Sequence, residues 1–436
     1  MKKNVCFFVV LFFVFSLFST FSYAAKEDAK EIKVGLLYSL TGPLAPGGGI
    51  SSYRGVVLAI DAINKRGGVL GKYKIVPIVA DAQSSPDIAV REIERLVSID
   101  GVPIIFGSFS SGIAVPAAAA CEKNKTIWWN TVAVSDGILK DKHYRYAFRP
   151  GPYASDYGRM AVNYIYSHLS DLGLKGAGDL KFASLTEDGP YGSMVRAGNR
   201  DGAKKHGIKL AYDDSYSHTT KDMSSIILKL KASGTNVIGH AGYAPDITLF
   251  HKQARELGLK VRAIIGEGTM YADNPAMVRA LGKEAANYLH NIDHVPLQLR
   301  DQKTASPEIA KLLKEFSESA LKKYKDPNPA AHYSFSFAAT WVMLNDVMPL
   351  AIKKYGSCTP DNVRKAALEI DIPDGKTVAW YGVKFAPPEH EYAGQNLRAF
   401  PVVTQWIDEK QYIVFPESLR TIKPVLPLPA GHPLAQ

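Results

Sequence analysis

Val102-Pro103-Ile104-Ile105-Phe106-Gly107-Ser108-Phe109-Ser110-Ser111-Gly112 is the stretch on which the reading of the fold turns. Residues 102–106 carry no polar side chain, the pattern of a short strand covered on both faces of a parallel sheet. Residues 107–112 switch to small and hydroxyl-bearing side chains, which predicts a turn that opens a helix. Strand, turn and helix in that order form the repeating unit of an α/β domain.

The same unit recurs on both sides. Residues 32–37 read as a strand, and Val56, Val57, Ala59, Ile60 and Ile63 follow at helical spacing. After a turn at Gly67-Gly68 come a strand at 74–79 and a helix at 86–96, and beyond the quoted stretch a strand at 126–130. A break at Arg149-Pro150-Gly151-Pro152 separates a second series. It predicts helices at 156–169, 192–206, 224–232 and 246–257, with strands at 181–185, 208–212, 236–239 and 261–265. Helices at 307–324 and 334–355 follow, then short strands near Val378 and Thr404, and a proline-rich tail over 424–436 that should lie extended on the surface. Two such series predict two open, doubly wound sheets, with ligand chemistry at the carboxyl ends of their strands.

The length of 436 residues suits two domains. Met1-Lys2-Lys3, an apolar run over 5–18 and Ser22-Tyr23-Ala24 have the form of a secretory signal peptide cut after Ala24, with the mature protein free in the periplasm. No cysteine stands at the cut, which argues against a lipid anchor, and no later segment offers a long unbroken apolar run. The net charge of +10 falls to about +8 without Lys2 and Lys3. Basic residues interleave with acids, as in Arg91-Glu92-Ile93-Glu94-Arg95, so no nucleic-acid surface is expected. Cys121 and Cys358 read as two thiols rather than a disulfide framework.

Catalytic and cofactor patterns fail. His240 and His251 lie more than two helical turns apart without carboxylates at ligand spacing, so no metal is expected, and most histidines read as surface or capping residues. Gly47-Gly48-Gly49 lacks the Gly-Lys-Ser/Thr ending of a phosphate loop. Ser108, Ser110 and Ser111 lack the Gly-x-Ser-x-Gly frame of a nucleophile, so no enzyme and no cofactor are expected. The serine turn reads either as an anion site, where free N–H groups and hydroxyls converge on a carboxylate, or as ordinary helix capping by Ser110 or Ser111. Glu267, between Gly266 and Gly268 at a strand end, reads either as a partner for an ammonium group or as an exposed loop acid. Of Trp128 and Trp129, at least one belongs to the core.

Taken in order, the chain resembles the branched-chain amino-acid binding proteins of ABC importers, in the type I periplasmic binding family. The resemblance runs through Ile32-Lys33-Val34-Gly35, Leu40-Thr41-Gly42-Pro43, residues 62–69 and 107–112, Asp188-Gly189-Pro190-Tyr191-Gly192, Gly242-Tyr243-Ala244-Pro245-Asp246 and residues 253–258. It implies two lobes joined by three crossovers near Arg149, Asn291 and Tyr381. Lobe 1 would be 32–149 with 292–380, lobe 2 would be 150–291 with 381–420, and 421–436 the tail.

By that resemblance Ser111, with Gly112 at the helix opening, binds the ligand carboxylate. Tyr191 is an aromatic from the second lobe, Tyr243 a cleft neighbour and Glu267 the acid for the ammonium. Residues 131–135 supply the remaining turn through Val132, Val134 and Ser135. Val134 stands where the family commonly has a threonine or serine, a departure that bears on which ligand is bound. The resemblance implies a monomer that delivers a small solute, first of all an amino acid, to a membrane permease and its ATPase. An aromatic carboxylate or amide as ligand, or the sensor of a signalling receptor, are the alternatives.

Overall fold

The computed structural model describes residues 30–300 and 305–436, so the expected signal peptide lies outside the described residues. The first sheet contains β1 (Lys30–Tyr38), β2 (Tyr73–Asp81), β3 (Ile104–Gly107), β4 (Ile127–Asn130) and β5 (Ala147–Phe148). All run parallel, in the order β2-β1-β3-β4-β5. Helices α1 (Ile50–Lys65), α2 (Pro86–Ser98) and α3 (Ser111–Lys123) make the crossovers. The side chains explain the alternation. Every residue of β3 is buried, as the apolar run requires, while α2 starts behind Ser85, whose hydroxyl accepts the Ile88 N–H at 3.4 Å, and buries only Ala89, Ile93 and Leu96.

The second lobe begins with α4 (Ala154–Ser167), followed by β6 (Phe182–Glu187), α5 (Pro190–Lys205), β7 (Tyr212–Tyr216), α6 (Ser224–Ala232), β8 (Val237–Ala241), α7 (Ala244–Glu256) and β9 (Ala263–Gly266). Helices α8 (Asn274–Leu281) and α9 (Lys283–Ala286) lead to β10 (His290–Asp293). The chain then returns to the first lobe, where α10 (Pro307–Tyr324) and α11 (Ala331–Tyr355) pack on α1. After α12 (Pro360–Glu369), a small antiparallel pair forms from β11 (Asp371–Ile372) and β12 (Val383–Lys384). The antiparallel strands β13 (Val402–Ile407) and β14 (Lys410–Phe415) finish the second sheet, ordered β14-β13-β10-β9-β8-β6-β7. In each sheet the strand order reverses once, between β1 and β3 and between β6 and β8, the place where doubly wound folds open a crevice.

Two crossovers run side by side, and the later one passes at Gly394–Asn396 rather than near the expected Tyr381, which is buried in the core of the first lobe. Arg149 N–H donates to the Gly394 carbonyl at 3.0 Å and Asn396 N–H to the Arg149 carbonyl at 2.9 Å. The Arg149 side chain, fully buried, donates from Nη1 to the carbonyls of Val134 (2.9 Å) and Ser135 (2.6 Å) and from Nε to Gln395 Oε1 (2.6 Å). One cation thus ties a hinge to the turn after β4.

The structure departs from the sequence reading at several points. The strand expected at 208–212 is β7, four residues later. Ile208 instead buries its side chain and folds back on α5 through its N–H to the Ala203 carbonyl at 2.8 Å, while the polar Tyr212–Tyr216 pairs on one side only, as an edge strand can. The family resemblance implies a crossover near Asn291, yet His290–Asp293 form β10, all four residues buried in the interior of the second sheet. The expected lobe boundary at 291/292 falls inside it. Val378 is buried but not in a strand, and the nearby pairing is that of β11 with β12. The tail does more than lie on the surface: Leu428 and Leu434 enter the core of the second lobe, and Val261 N–H donates to the Leu434 carbonyl at 2.9 Å. Ala331–Tyr355 is long and apolar enough to cross a membrane, a run passed over in the sequence, but here it is a core helix of the first lobe. Seven of the eleven histidines are buried rather than exposed, several bonded to tyrosines, as His240 is to Tyr216 and Tyr271. Trp128 and Trp129 are both core residues, and Cys121 and Cys358 are free thiols.

Candidate functional site

The carboxyl ends of β3, β4, β6, β8, β9 and β10 converge between the lobes. There a cavity of about 30 Å³ is lined by Phe109, Ser111, Val132, Val134, Tyr157, Tyr191, Tyr243, Gly268, Thr269, Asp293 and His332. Ser111, Val132, Val134, Tyr191 and Tyr243, which the sequence singled out, therefore share one wall system. Gly112, Ser135 and Glu267 do not line it.

Ser111 opens α3. Its Oγ accepts the Ser135 N–H at 3.0 Å, which leaves its own O–H to donate. The Ile113 and Ala114 N–H groups both donate to the Ser110 carbonyl, so it is the N–H groups of Ser111 and Gly112 that lack a partner within the helix. Gly112 is the next residue of that first turn. Ser135 works behind the wall: besides this bond it caps a short turn, its Oγ accepting the Gly137 N–H at 3.3 Å. Val132 and Val134 present aliphatic side chains, and their loop is held from behind by Arg149 and by the Ala154 N–H on the Val134 carbonyl at 2.7 Å.

Aromatic rings close the space from both lobes. Phe109 of the first lobe meets Tyr243 of the second edge-on at 6.1 Å and His332 at 5.0 Å, and Tyr191 lies 5.9 Å from Tyr243. Ser110 Oγ and Tyr243 OH, 3.2 Å apart, hydrogen-bond across the seam. Gly48 makes this possible, because a Cβ there would stand 2.2 Å from the Phe109 ring. Polar side chains also reach the space. Tyr157 OH donates to Asp293 Oδ1 at 2.6 Å, the His294 N–H reaches the same oxygen at 2.9 Å, and Thr269 donates to the Gly242 carbonyl at 2.5 Å. Burial lifts the Asp293 carboxyl to about 7, and it pushes the His332 imidazole down to about 4, so that ring is neutral at pH 7. His332 Nδ1 has no hydrogen-bond partner.

Glu267 is placed differently from the expectation. Its carboxyl is fully buried on the α5 side of the sheet, where Asn199 Nδ2 donates to Oε2 at 3.3 Å and Oε1 has no partner. Burial pushes it up to about 8. The reason is alternation: neighbouring residues of an extended segment point to opposite faces, so with Gly268 at the cavity Glu267 must face away. Only the Glu267 carbonyl is near the site, accepting the Tyr191 O–H.

Phe109, Tyr157, Gly268, Thr269, Asp293 and His332 were not picked out as site residues from the sequence. One signal was available: a polar, strand-length segment at 290–293 between two α/β repeats. Among the described residues the one acidic and histidine cluster with metal-like spacing is Glu187, Asp188 and His218. Glu187 is already engaged there, accepting the Gly189 and Gly192 N–H groups at 2.6 Å each as it caps α5. A wider groove of about 600 Å³ opens along the same seam, between Pro275 and Arg279 on one side and Pro327 to Ala331 on the other, without the convergent buried polar groups of the inner cavity.

Two doubly wound lobes, joined by three crossovers and closed over one small aromatic-walled space, define a hinged solute-binding protein. The chain belongs to the periplasmic binding protein family, whose profile matches residues 31–405. It is 33% identical over 394 residues to the Leu/Ile/Val-binding protein homolog 7 of Brucella suis biovar 1 (strain 1330), covering 90% of this chain and 94% of that one. Among solved structures, the leucine binding protein LivK of Thermotoga maritima MSB8 superposes with a TM-score of 0.70 at 19% identity, over 88% of this chain and 97% of the other. The branched-chain amino acid transporter substrate binding protein LivJ of Streptococcus pneumoniae, in complex with isoleucine, gives 0.70 at 18% identity, over 89% and 100%. At these identities the superpositions speak for the fold.

Proposed function

We propose that this protein is the solute-binding subunit of an ABC importer, exported to the periplasm by its N-terminal signal, which captures an apolar amino acid and delivers it to a permease and ATPase without chemical turnover. The observation that carries this reading is the cavity itself, a helix N-terminus with Ser111 facing aromatic and valine walls contributed by both lobes. A helix start with free N–H groups favours a carboxylate. Val132, Val134, Tyr191 and Tyr243 favour an apolar side chain, while Gly112 and Ser135 support the anion end from the first turn of α3 and from behind Ser111. The names of the relatives, a Leu/Ile/Val-binding protein homolog and a transporter subunit holding isoleucine, agree with it. About 30 Å³ has room for a water or two, so an amino acid is admitted by parting the lobes about the hinge at Arg149 and held by their closure.

A second reading, an aromatic carboxylate as ligand, draws on two observations: Val134 offers no hydroxyl, and the Glu267 carboxyl faces away from the cavity. Calorimetry of the mature protein against free amino acids, aromatic acids and their amides separates the two. Binding of leucine, isoleucine or valine with no response to benzoate-type acids is the expected result. The reverse order overturns the amino-acid reading.

A further inference from the structure

We infer that Asp293, held by Tyr157, receives the ammonium group of the bound amino acid, the part that the family resemblance assigns to Glu267. The inference rests on the amino-acid reading above and adds to it the residue that selects for an amine. Asp293 ends β10 and lines the cavity that Ser111 also lines, so a carboxylate-binding helix start and a carboxyl group share one space. Its Oδ1 is fixed by the Tyr157 O–H and the His294 N–H, which sets the direction of the other oxygen. Oδ2 lies toward Gly268, 3.7 Å from where a Cβ on that residue would stand. Gly268 itself has φ +102°, a conformation that side-chain-bearing residues rarely adopt, and its missing Cβ keeps the space beside Tyr191, Tyr157 and Asp293 open.

A buried carboxyl group needs a counter-charge or a proton. No lysine, arginine or histidine among the described residues serves Asp293 in that way. A primary ammonium arriving beside Oδ2 supplies the missing charge and makes a charge-assisted hydrogen bond. Glu267 is less able to do so, since its carboxyl is on the other side of the sheet, with Asn199 against it and Gly239 packed over Oε1.

The test compares L-leucine, L-isoleucine and L-valine, each beside its 2-hydroxy acid, which keeps the carboxylate and side chain but lacks the ammonium. Calorimetry is run on the wild type, Asp293→Asn, Tyr157→Phe and Glu267→Gln. Asp293→Asn should weaken the amino acids about tenfold or more and leave the hydroxy acids nearly unchanged, which also shows that the variant is folded. Tyr157→Phe should shift the same preference in the same direction by less, and Glu267→Gln should leave the preference standing. If Asp293→Asn keeps the preference for the amine and Glu267→Gln abolishes it, the assignment is overturned while the amino-acid reading stands. A wild-type protein that binds none of the three amino acids overturns both.

Discussion

The two ends of the cavity are built in different ways. The end at Ser111 is local: β3, a three-residue turn and the first turn of α3 follow one another along the chain, and the groups proposed to bind the anion are largely backbone N–H donors. The end at Asp293 is assembled from afar. Tyr157 comes from α4, 136 residues before Asp293, and Gly268 follows β9. A backbone site survives the loss of one side chain, whereas a side-chain charge is only as good as the groups that aim it. Variants at the Ser111 end should therefore weaken an amino acid and its hydroxy acid alike, and variants at the Asp293 end should weaken the amino acid alone.

The largest effect is expected where the local end is anchored to the hinge. Arg149→Met removes three hydrogen bonds from a buried cation, to Val134, Ser135 and Gln395. It should cost on the order of 3 kcal/mol of stability and weaken every ligand, because the Val132 to Ser135 turn loses its support. Urea denaturation with calorimetry checks this. Unchanged stability would mean that Gln395 and the backbone pairing of the crossovers suffice.

Glu267 gives a pH test of its placement away from the cavity. Its pKa in the folded protein, about 8, lies above the ordinary glutamate value, so the folded state holds a proton that the unfolded chain releases. Stability is therefore lost as pH rises from the carboxylate range through about 8. The buried histidines His240, His290, His294 and His332, depressed to between about 3 and 4, act the opposite way but only below about 6.5. Above that pH Asp293, raised to about 7, adds to the same decline. Relative to the wild type, Glu267→Gln should gain on the order of 2 kcal/mol between pH 6.5 and 8. Denaturation curves that shift in parallel for both proteins across that window would place the carboxyl in solvent.

The smallest effects belong to the backbone end. Ser111→Ala should cost about 1 kcal/mol for leucine and its hydroxy acid alike, since the N–H groups of α3 stay in place. Gly112→Pro deletes one of those donors and should cost more than Ser111→Ala. Calorimetry with both ligands reads the difference, and a loss confined to leucine would show that Ser111 does not belong to the anion end.

The same contrast governs what was legible in the residues themselves. The unbroken run at 102–106 can only be covered on both faces, and the serines after it can only turn or cap, so strand, turn, helix start and the doubly wound plan followed from local preference and spacing. Ser111 could be named from the residues, because its turn follows a strand whose carboxyl end must face the crevice, whereas Val132, Val134, Tyr191 and Tyr243 could be named only through the family resemblance. The side of a chain on which a polar group ends up is settled by contacts that no local pattern encodes. Glu267 had the sequence context of a cleft acid, yet alternation at the end of β9 turned it toward Asn199 and gave the cavity to Gly268. Asp293 sat in a segment too polar to be read as a central strand, because hydropathy reports on side chains while the backbone ladder that holds β10 between β9 and β13 is indifferent to them. Sequence decided the lobes and the strand, turn and helix start that carry the proposed site at Ser111. Tertiary packing decided which carboxyl faces the cavity, since burying a charge depends on neighbours brought together from more than a hundred residues away.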